Sequence, residues 1–316
     1  MKATYIDYSE THSFSDTLLN YLAQSAELEP FHCCWPEMQN FGELISRKTN
    51  HTNRDVLVNV LQQQYSASEY QNQLAQPVLQ NIQRLADPNT YTITTGHQLN
   101  IFTGPLYFIY KIVTAIKLAQ ELKTAYPENH FVPVYWMATE DHDFEEINHA
   151  RIHGEKFSWN EPATGATGRI NPQSIRSTLN AFKGALGISE NSAKLAFLLE
   201  EAYLNHSTLA DATRFMVHNL FAEYGLVIID ADNIDLKREF SAIIKQDILE
   251  QKSFAAITKT SASLEKLGFQ TQVHAREINF FYLKDQLRER IVFGNDPWEG
   301  LNTTITFNRD ELIPAV

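Results

Sequence analysis

YTITTGHQLNIFTGPLYFIYKIVTAIKLAQELKTAYPENHFVPVYWMATEDHDFEEINH, residues 91–149, is the stretch that decides the fold. Tyr91 to Thr95 is short and β-prone, and Gly96 and Gly104 punctuate the loop after it. Thr103-Gly104-Pro105 reads as a helix start: Thr103 or Gly104 as N-cap, and Pro105 at the first helical position, where its missing N–H has no intrahelical partner. From Leu106 to Leu122 apolar residues nearly encircle the helix and leave Lys111, Thr114, Lys117 and Glu121 as its polar strip, the pattern of a helix packed on most sides. Phe131 to Met137 is the second strand. Strand, helix and strand make a β-α-β unit, the right-handed crossover of α/β folds.

Ligands of such units bind at the carboxyl ends of the strands. Two polar clusters fall there. Gly96-His97-Gln98-Leu99-Asn100 follows the first strand, and Glu140-Asp141-His142-Asp143 follows the second. The helix start at Thr103-Gly104-Pro105, with Tyr107 beside it, offers free N–H groups to an anion, and the backbone at Gly104 is expected to approach that anion closely. The loop is neither GxGxxG nor a Walker sequence. His142 reads either as a general base or metal ligand, or as part of an acidic loop capping the sheet edge. Lys111 reads equally as a phosphate or carboxylate partner and as a snorkelling lysine.

Outside this stretch the chain reads as helices and two insertions. Helices are expected over Asp16 to Leu28, from near Pro36 or Met38, from Asn53-Arg54-Asp55, and over Ser68 to Leu85. Ala150 to His153 and Lys156 to Trp159 suggest short strands around Gly154; Ser174 to Leu186, Ser192 to Tyr203 and Leu209 to Tyr224 suggest helices. Leu226 to Asp230 is a buried-type strand that brings Asp230 and Asp232 to the same sheet edge, and Asp235 to Leu249 is the helix after it. A further helix runs from near Ser253 to Leu267. Thr271 to Val273, Asn279 to Leu283 and Arg290 to Phe293 alternate like antiparallel strands, Asp296-Pro297 is a turn, and Asn308 to Leu312 starts a helix. Arg276 and Arg288 read as surface residues. Three sheet strands are fewer than a doubly wound sheet normally holds, so either the fold is small or this is the N-terminal part of a longer protein.

The 316 residues carry 26 Lys plus Arg against 38 Asp plus Glu, a net charge of −12, which argues against nucleic acid or an anionic membrane as partner. No apolar run is long enough to span a bilayer and the N-terminus lacks a signal peptide's apolar core, so a cytoplasmic location is expected. Cys33 and Cys34 are the two cysteines; without a CxxC or Cys/His spacing they read as reduced structural thiols, and no metal ligand set is assigned.

TGHQLNIFTGPLYFIYK and VYWMATEDHDFEEINH together resemble the bacillithiol-biosynthesis cysteine-adding enzymes of the BshC type, with GLVIIDAD at Gly225 to Asp232 and the Val273 to Phe281 region as supporting matches. The resemblance implies a Rossmann-like parallel sheet core, similar to class I aminoacyl-tRNA synthetases, with an N-terminal helical segment and two connective-peptide insertions. Its divisions would be 1–150 for the helices and first half of the core, 151–205 for the first insertion, 206–252 for more of the core, and 253–316 for the second insertion. The rest of the core and a C-terminal coiled coil would follow. The implied reaction joins the carboxyl of L-cysteine to the amine of glucosaminyl-malate, with a homodimer of the full-length protein. Gly96-His97-Gln98 would stand where the synthetases carry a His-Ile-Gly-His signature, although the second histidine is absent. The activating cofactor stays open; the likeness to the synthetases points to ATP with magnesium. The implied division of labour gives Glu140, Asp141, His142 and Asp143 the chemistry. Gly96, His97, Gln98, Asn100, Thr103, Gly104, Pro105, Tyr107, Lys111, Asp230 and Asp232 would bind substrate or anion. Two other readings stand beside it: a nucleotide- or sugar-phosphate-binding module without ligase activity, and a metal-dependent hydrolase built on Glu140 to Asp143.

Overall fold

The computed structural model describes residues 4–48, 52–284, 286–293, 298–300 and 305–307. In chain order the helices and strands are α1 (Asp16–Leu22), α2 (Phe41–Arg47), α3 (Arg54–Gln64), α4 (Gln76–Arg84), β1 (Thr90–His97), α5 (Tyr107–Ala125), β2 (His130–Met137), α6 (Phe144–Ile147), β3 (His149–Ile152), β4 (Glu155–Ser158), α7 (Arg176–Ala185), α8 (Glu190–Leu204), α9 (Leu209–Phe221), β5 (Val227–Asp230), α10 (Ile234–Arg238), α11 (Ser241–Glu250), α12 (Lys252–Lys266), β6 (Phe281–Lys284), β7 (Leu287–Phe293), β8 (Trp298–Gly300) and β9 (Thr306–Phe307). They fall into two compact units. The first comprises Met1–Thr49, Ala242–Phe280 and Ile291–Val316; the second comprises Asn50–Ser241 and Phe281–Arg290.

The second unit is built on a three-stranded parallel sheet in the order β1-β2-β5. β2 is the middle strand and is buried along its length except at Trp136 and, in part, His130. Its Pro133 lies opposite Ile93 of β1, one residue before the ladder with β5 begins at Val134↔Val227. The missing N–H therefore falls where no strand needs it. Val132, Tyr135, Met137, Val227 and Ile228 are fully buried and join Phe108 and Ile112 of α5 and Met216 and Val217 of α9 in one core.

The outer backbone groups of β5 are closed by side chains. The Tyr65 hydroxyl accepts from Ile228 N–H (2.8 Å) and Arg214 donates to the Ile228 carbonyl (3.0 Å). Gln64 accepts from Asp230 N–H (3.0 Å) and donates to the Asp230 carbonyl (2.9 Å). A further 2.7 Å bond from Arg214 to Gln64 links the two residues.

The long helix departs from expectation at its start. Phe102, Thr103 and Gly104 all have positive φ (53°, 70° and 56°), which breaks the backbone before the helix. α5 begins at Tyr107 with Leu106 as N-cap and no side-chain cap bond, so neither Thr103 nor Gly104 caps it and Pro105 precedes it. Nor is it packed on most sides. Phe108, Ile112, Ala115, Ile116, Ala119 and Leu122 form one buried stripe. Leu106 (65 % exposed), Tyr107, Tyr110 (62 %) and Val113 lie open, because among the described residues only one face of the helix meets a sheet.

Other segments follow the sequence with shorter bounds. Asn53 caps α3 through a bond from Val56 N–H, and Ser15 caps α1. The run from Asp16 ends at Leu22, six residues early, and passes into a 3-10 turn at Ala26–Phe31. The run from Ser68 is two 3-10 turns before α4, whose first turn holds Pro77. The break lies at Asn72, whose extended backbone (φ −78°, ψ 174°) and side-chain bond from Ala75 N–H start a new turn, and Pro77 then suits the first turn of α4, where its missing N–H has no intrahelical partner. β3 and β4 form a hairpin through His153 and Gly154, both left-handed (φ 51° and 83°), as a two-residue turn of this kind requires. The helix expected over Asp235 to Leu249 is broken into α10 and α11.

In the first unit, Tyr21, His32 and Trp35 pack ring against ring, with centroids 4.0–5.7 Å apart. Thr271 to Val273 forms no strand. Ile291 to Phe293 pairs with β8, and β8 with β9. The turn expected at Asp296-Pro297 and the helix start at Asn308 to Leu312 lie outside the described residues.

Candidate active site

The carboxyl ends of β1 and β2 open into a cleft of about 390 Å³ lined by Gly96, His97, Gln98, Tyr107, Lys111, Trp136, Ala138 and Asp141. Gly96 and His97 are the last residues of β1, not part of the loop after it. Lys111, one turn into α5, points back and donates to the Gly96 carbonyl at 2.6 Å. That partner is a neutral carbonyl. Lys111 thus lines the cleft bonded to the backbone carbonyl of Gly96, with neither a phosphate nor a carboxylate as its partner among the described residues.

The His97 ring lies beside Tyr107 (5.2 Å between centroids) and Phe108 (5.3 Å). Its Nδ1 is 3.1 Å from the Gln98 carbonyl. A carbonyl only accepts, so Nδ1 carries the hydrogen and the neutral ring has its lone pair on Nε2. Burial lowers the His97 pKa below the ordinary histidine value; the bond to Gln98 opposes this and the Lys111 charge adds to it. Gln98 turns its Nε2 to Asp141 Oδ2 (2.9 Å) and to the Glu146 carboxylate. Burial alone would raise the Asp141 pKa. The bonds from Gln98 and from the His142 and Asp143 N–H groups outweigh it, and the carboxyl sits below its usual value.

The structure separates the remaining candidates by role. Asn100 donates to the Glu146 carbonyl (3.2 Å) and lies against Gly104, where an added Cβ would come within 2.4 Å of its own. The missing side chain of Gly104 thus makes room for Asn100. Asp143 is the N-cap of α6, accepting from Glu146 N–H. Glu140 pairs with Lys237 (2.9 Å), and Asp232 is held between Lys237 and Arg169 (2.7 Å). Burial works against the Lys237 charge, but Asp232 and Glu140 hold its pKa above the ordinary lysine value. Asp230 accepts from the Thr139 hydroxyl (2.6 Å) and from Asp232 N–H (3.0 Å). These carboxylates stitch the sheet edge together beside the cleft. Thr103 and Pro105 belong to the turn before α5 and do not line it.

His142 also stays outside the lining. Its Nδ1 accepts from Arg288 at 2.7 Å. Two groups escaped the sequence reading here. Arg288, read as a surface residue, reaches the acidic loop from the β6–β7 hairpin. Trp136, 41 % exposed at the end of an otherwise buried strand, forms a wall of the cleft. An indole at the last outward position of a buried strand is the signal that could have found it. Cys33 and Cys34 are free thiols in the first unit. Among the described residues no group of three or more His, Cys, Asp or Glu side chains, Glu140 to Asp143 included, could hold a metal ion.

The family model described as "Bacillithiol biosynthesis BshC, N-terminal Rossmann-like domain" matches residues 1–316. The chain belongs to the BshC family. It is 46 % identical over 317 residues to a protein of Flavobacterium johnsoniae, covering 99 % of this chain and 59 % of the relative. A Flavobacterium psychrophilum relative is 44 % identical, covering 100 % and 59 %. One of Cytophaga hutchinsonii is 41 % identical, covering 97 % and 56 %. All three bear the name "Putative cysteine ligase BshC". The chain therefore spans a little under three fifths of these BshC relatives, and the cleft lies within the part it shares with them.

Proposed function

We propose that this chain supplies the substrate cleft of a ligase that joins the carboxyl of L-cysteine to the amine of glucosaminyl-malate. The observation that carries the reading is the cleft itself, where Gly96-His97-Gln98 and Asp141, from two separate motifs of the sequence, meet at one sheet edge. The names of the relatives support the reaction class. On the same reading the core is of the class I aminoacyl-tRNA synthetase type, with connective insertions at 151–205 and 253–316. The parallel β1-β2-β5 order and the hairpin and four helices between β2 and β5 support it.

A free carboxylate is a poor electrophile, so amide formation needs an activated cysteinyl group. The likeness to the synthetases points to ATP with magnesium as the source of that activation. The chain's own groups act on the amine. Asp141, held ionised, receives the ammonium of the acceptor. His97, held neutral with its lone pair on Nε2, takes the proton that frees the amine to attack. Lys111 offsets negative charge growing on the acyl oxygen as the C–N bond forms; the bond from the acyl carbon to its activating group then breaks, and that group leaves with the electron pair. Trp136 and Tyr107 limit water at the acyl group. The test is mass spectrometry of the amide product from L-cysteine, glucosaminyl-malate, ATP and magnesium with the full-length protein. Product should form with the wild type and fall about 10²-fold or more with His97→Ala. No product from the wild type would reject the ligase reading, and an unimpaired variant would remove His97 from it.

A further inference from the structure

Four cations stand around the acidic edge of the sheet in the second unit. Arg169 is neutralised by Asp232, and Lys237 by Asp232 and Glu140. Lys111 and Arg288 have neutral partners, the Gly96 carbonyl and the His142 ring. Arg288 is placed by its backbone surroundings. Thr167 N–H donates to the Asp141 carbonyl (2.7 Å), so the loop through Gly165 to Arg169 runs along the acidic loop. Gly165, at φ 74°, lets the backbone of Gln286 approach to where a Cβ would stand 2.6 Å away. The turn of the β6–β7 hairpin is thereby seated on that loop. The Arg288 guanidinium carbon lies over the Phe281 ring, 3.8 Å from the centroid, and one of its N–H groups is spent on His142 Nδ1. Its remaining donors have no carboxylate among the described residues. The same His142 nitrogen is 3.5 Å from Asp141 Oδ1, so a cation and a cleft carboxylate flank one imidazole.

We infer that Arg288 is the specificity residue that binds a carboxylate of the acceptor substrate, beside the ammonium held by Asp141. This rests on the ligase reading above. The chemistry chooses the acceptor: amide formation consumes the carboxylate of cysteine, whereas the carboxylates of a malyl group persist through the reaction and need a lasting cation. A planar guanidinium stacked on an aromatic ring is preorganised for a two-point bond to a carboxylate. His142 is a positioning residue, keeping the fork in place through a neutral acceptor.

The experiment is NMR titration of the 316-residue chain with L-malate, following the His142 ring and the Trp136 indole, with melting temperatures measured in parallel. Wild type should bind. Arg288→Met should bind about tenfold more weakly or worse, Arg288→Lys should fall between, and exposed Arg276→Met should match wild type. A wild type indifferent to L-malate, or a folded Arg288→Met that binds it equally, overturns the proposal. Arg288→Lys covers the case in which Arg288→Met does not fold: if it loses no affinity, the proposal also falls. The ligase reading is judged separately, by product formation.

Discussion

Asp141 accepts hydrogen bonds from Gln98 Nε2 (2.9 Å) and from His142 N–H (2.8 Å), and its neighbour Glu140 is already paired with Lys237. Like-charge strain within 140–143 is therefore largely relieved, and Asp141→Asn should destabilise. The new amide N–H₂ would face the Gln98 donor, costing about 1 kcal/mol and about 2–4 °C in melting temperature. The ionised carboxylate's contribution is full above the ordinary carboxylate pKa and is lost as pH falls through the lower folded value. Wild type and variant melting curves should thus converge in acid; a variant more stable than wild type at pH 7 would contradict this. His218 makes the opposite case. It is 3 % exposed, both ring nitrogens lack a partner, and burial followed by the Arg214 charge lowers its pKa to about 4. The unfolded chain binds its proton first, so stability falls from about pH 6.5 down to pH 4, by about 3 kcal/mol at the end of that range. His218→Phe, set between the Tyr65 and Tyr70 rings, should flatten that limb of the melting-temperature profile.

At the scale of the element, the turn into α5 is the strained piece. Gly104 has φ 56° and ψ −137°, a region open essentially to glycine, with Asn100 in the space of the absent Cβ. Gly104→Ala should cost about 2–3 kcal/mol, read by chemical denaturation, whatever it does to ligands. An unchanged midpoint would show that the loop relaxes freely. What could be read from the sequence divides along the same line. β2 and β5 stand out as apolar runs and β1 as a short β-prone one, and Asn53 declares itself by a side chain that satisfies a nearby backbone group. Gly96, His97, Gln98, Tyr107, Lys111 and Asp141, which line the cleft, could be picked out because they lie at the end of a strand, just after one, or in the first turns of a helix. The positive-φ run at Phe102 and Thr103 could not, since neither residue favours it and only packing holds it there. Arg288 could not either: 146 residues separate it from His142, and no local pattern announces that meeting.

For the whole molecule the two units differ in how much they bury. The core cluster belongs to the second unit, whereas in the first α1, α2 and α12 bury no residue completely. Hydrogen exchange should be slowest at β2 amides and fast along α1 and α12; strong protection of α12 would contradict the division. The sheet itself has a direction. Beside β5 every outward N–H and C=O of Ile228 and Asp230 is already taken by Gln64, Tyr65 or Arg214. Beside β1, Arg54 and Lys111 occupy only the end carbonyls of Thr90 and Gly96, and the outward groups of Thr92 and Thr94 find no partner among the described residues. In polymer terms the sheet has one terminated end and one living end. Any strand that enlarges it, from this polypeptide or from another, adds next to β1, and accretion past β5 would first have to strip a buried arginine of its partners.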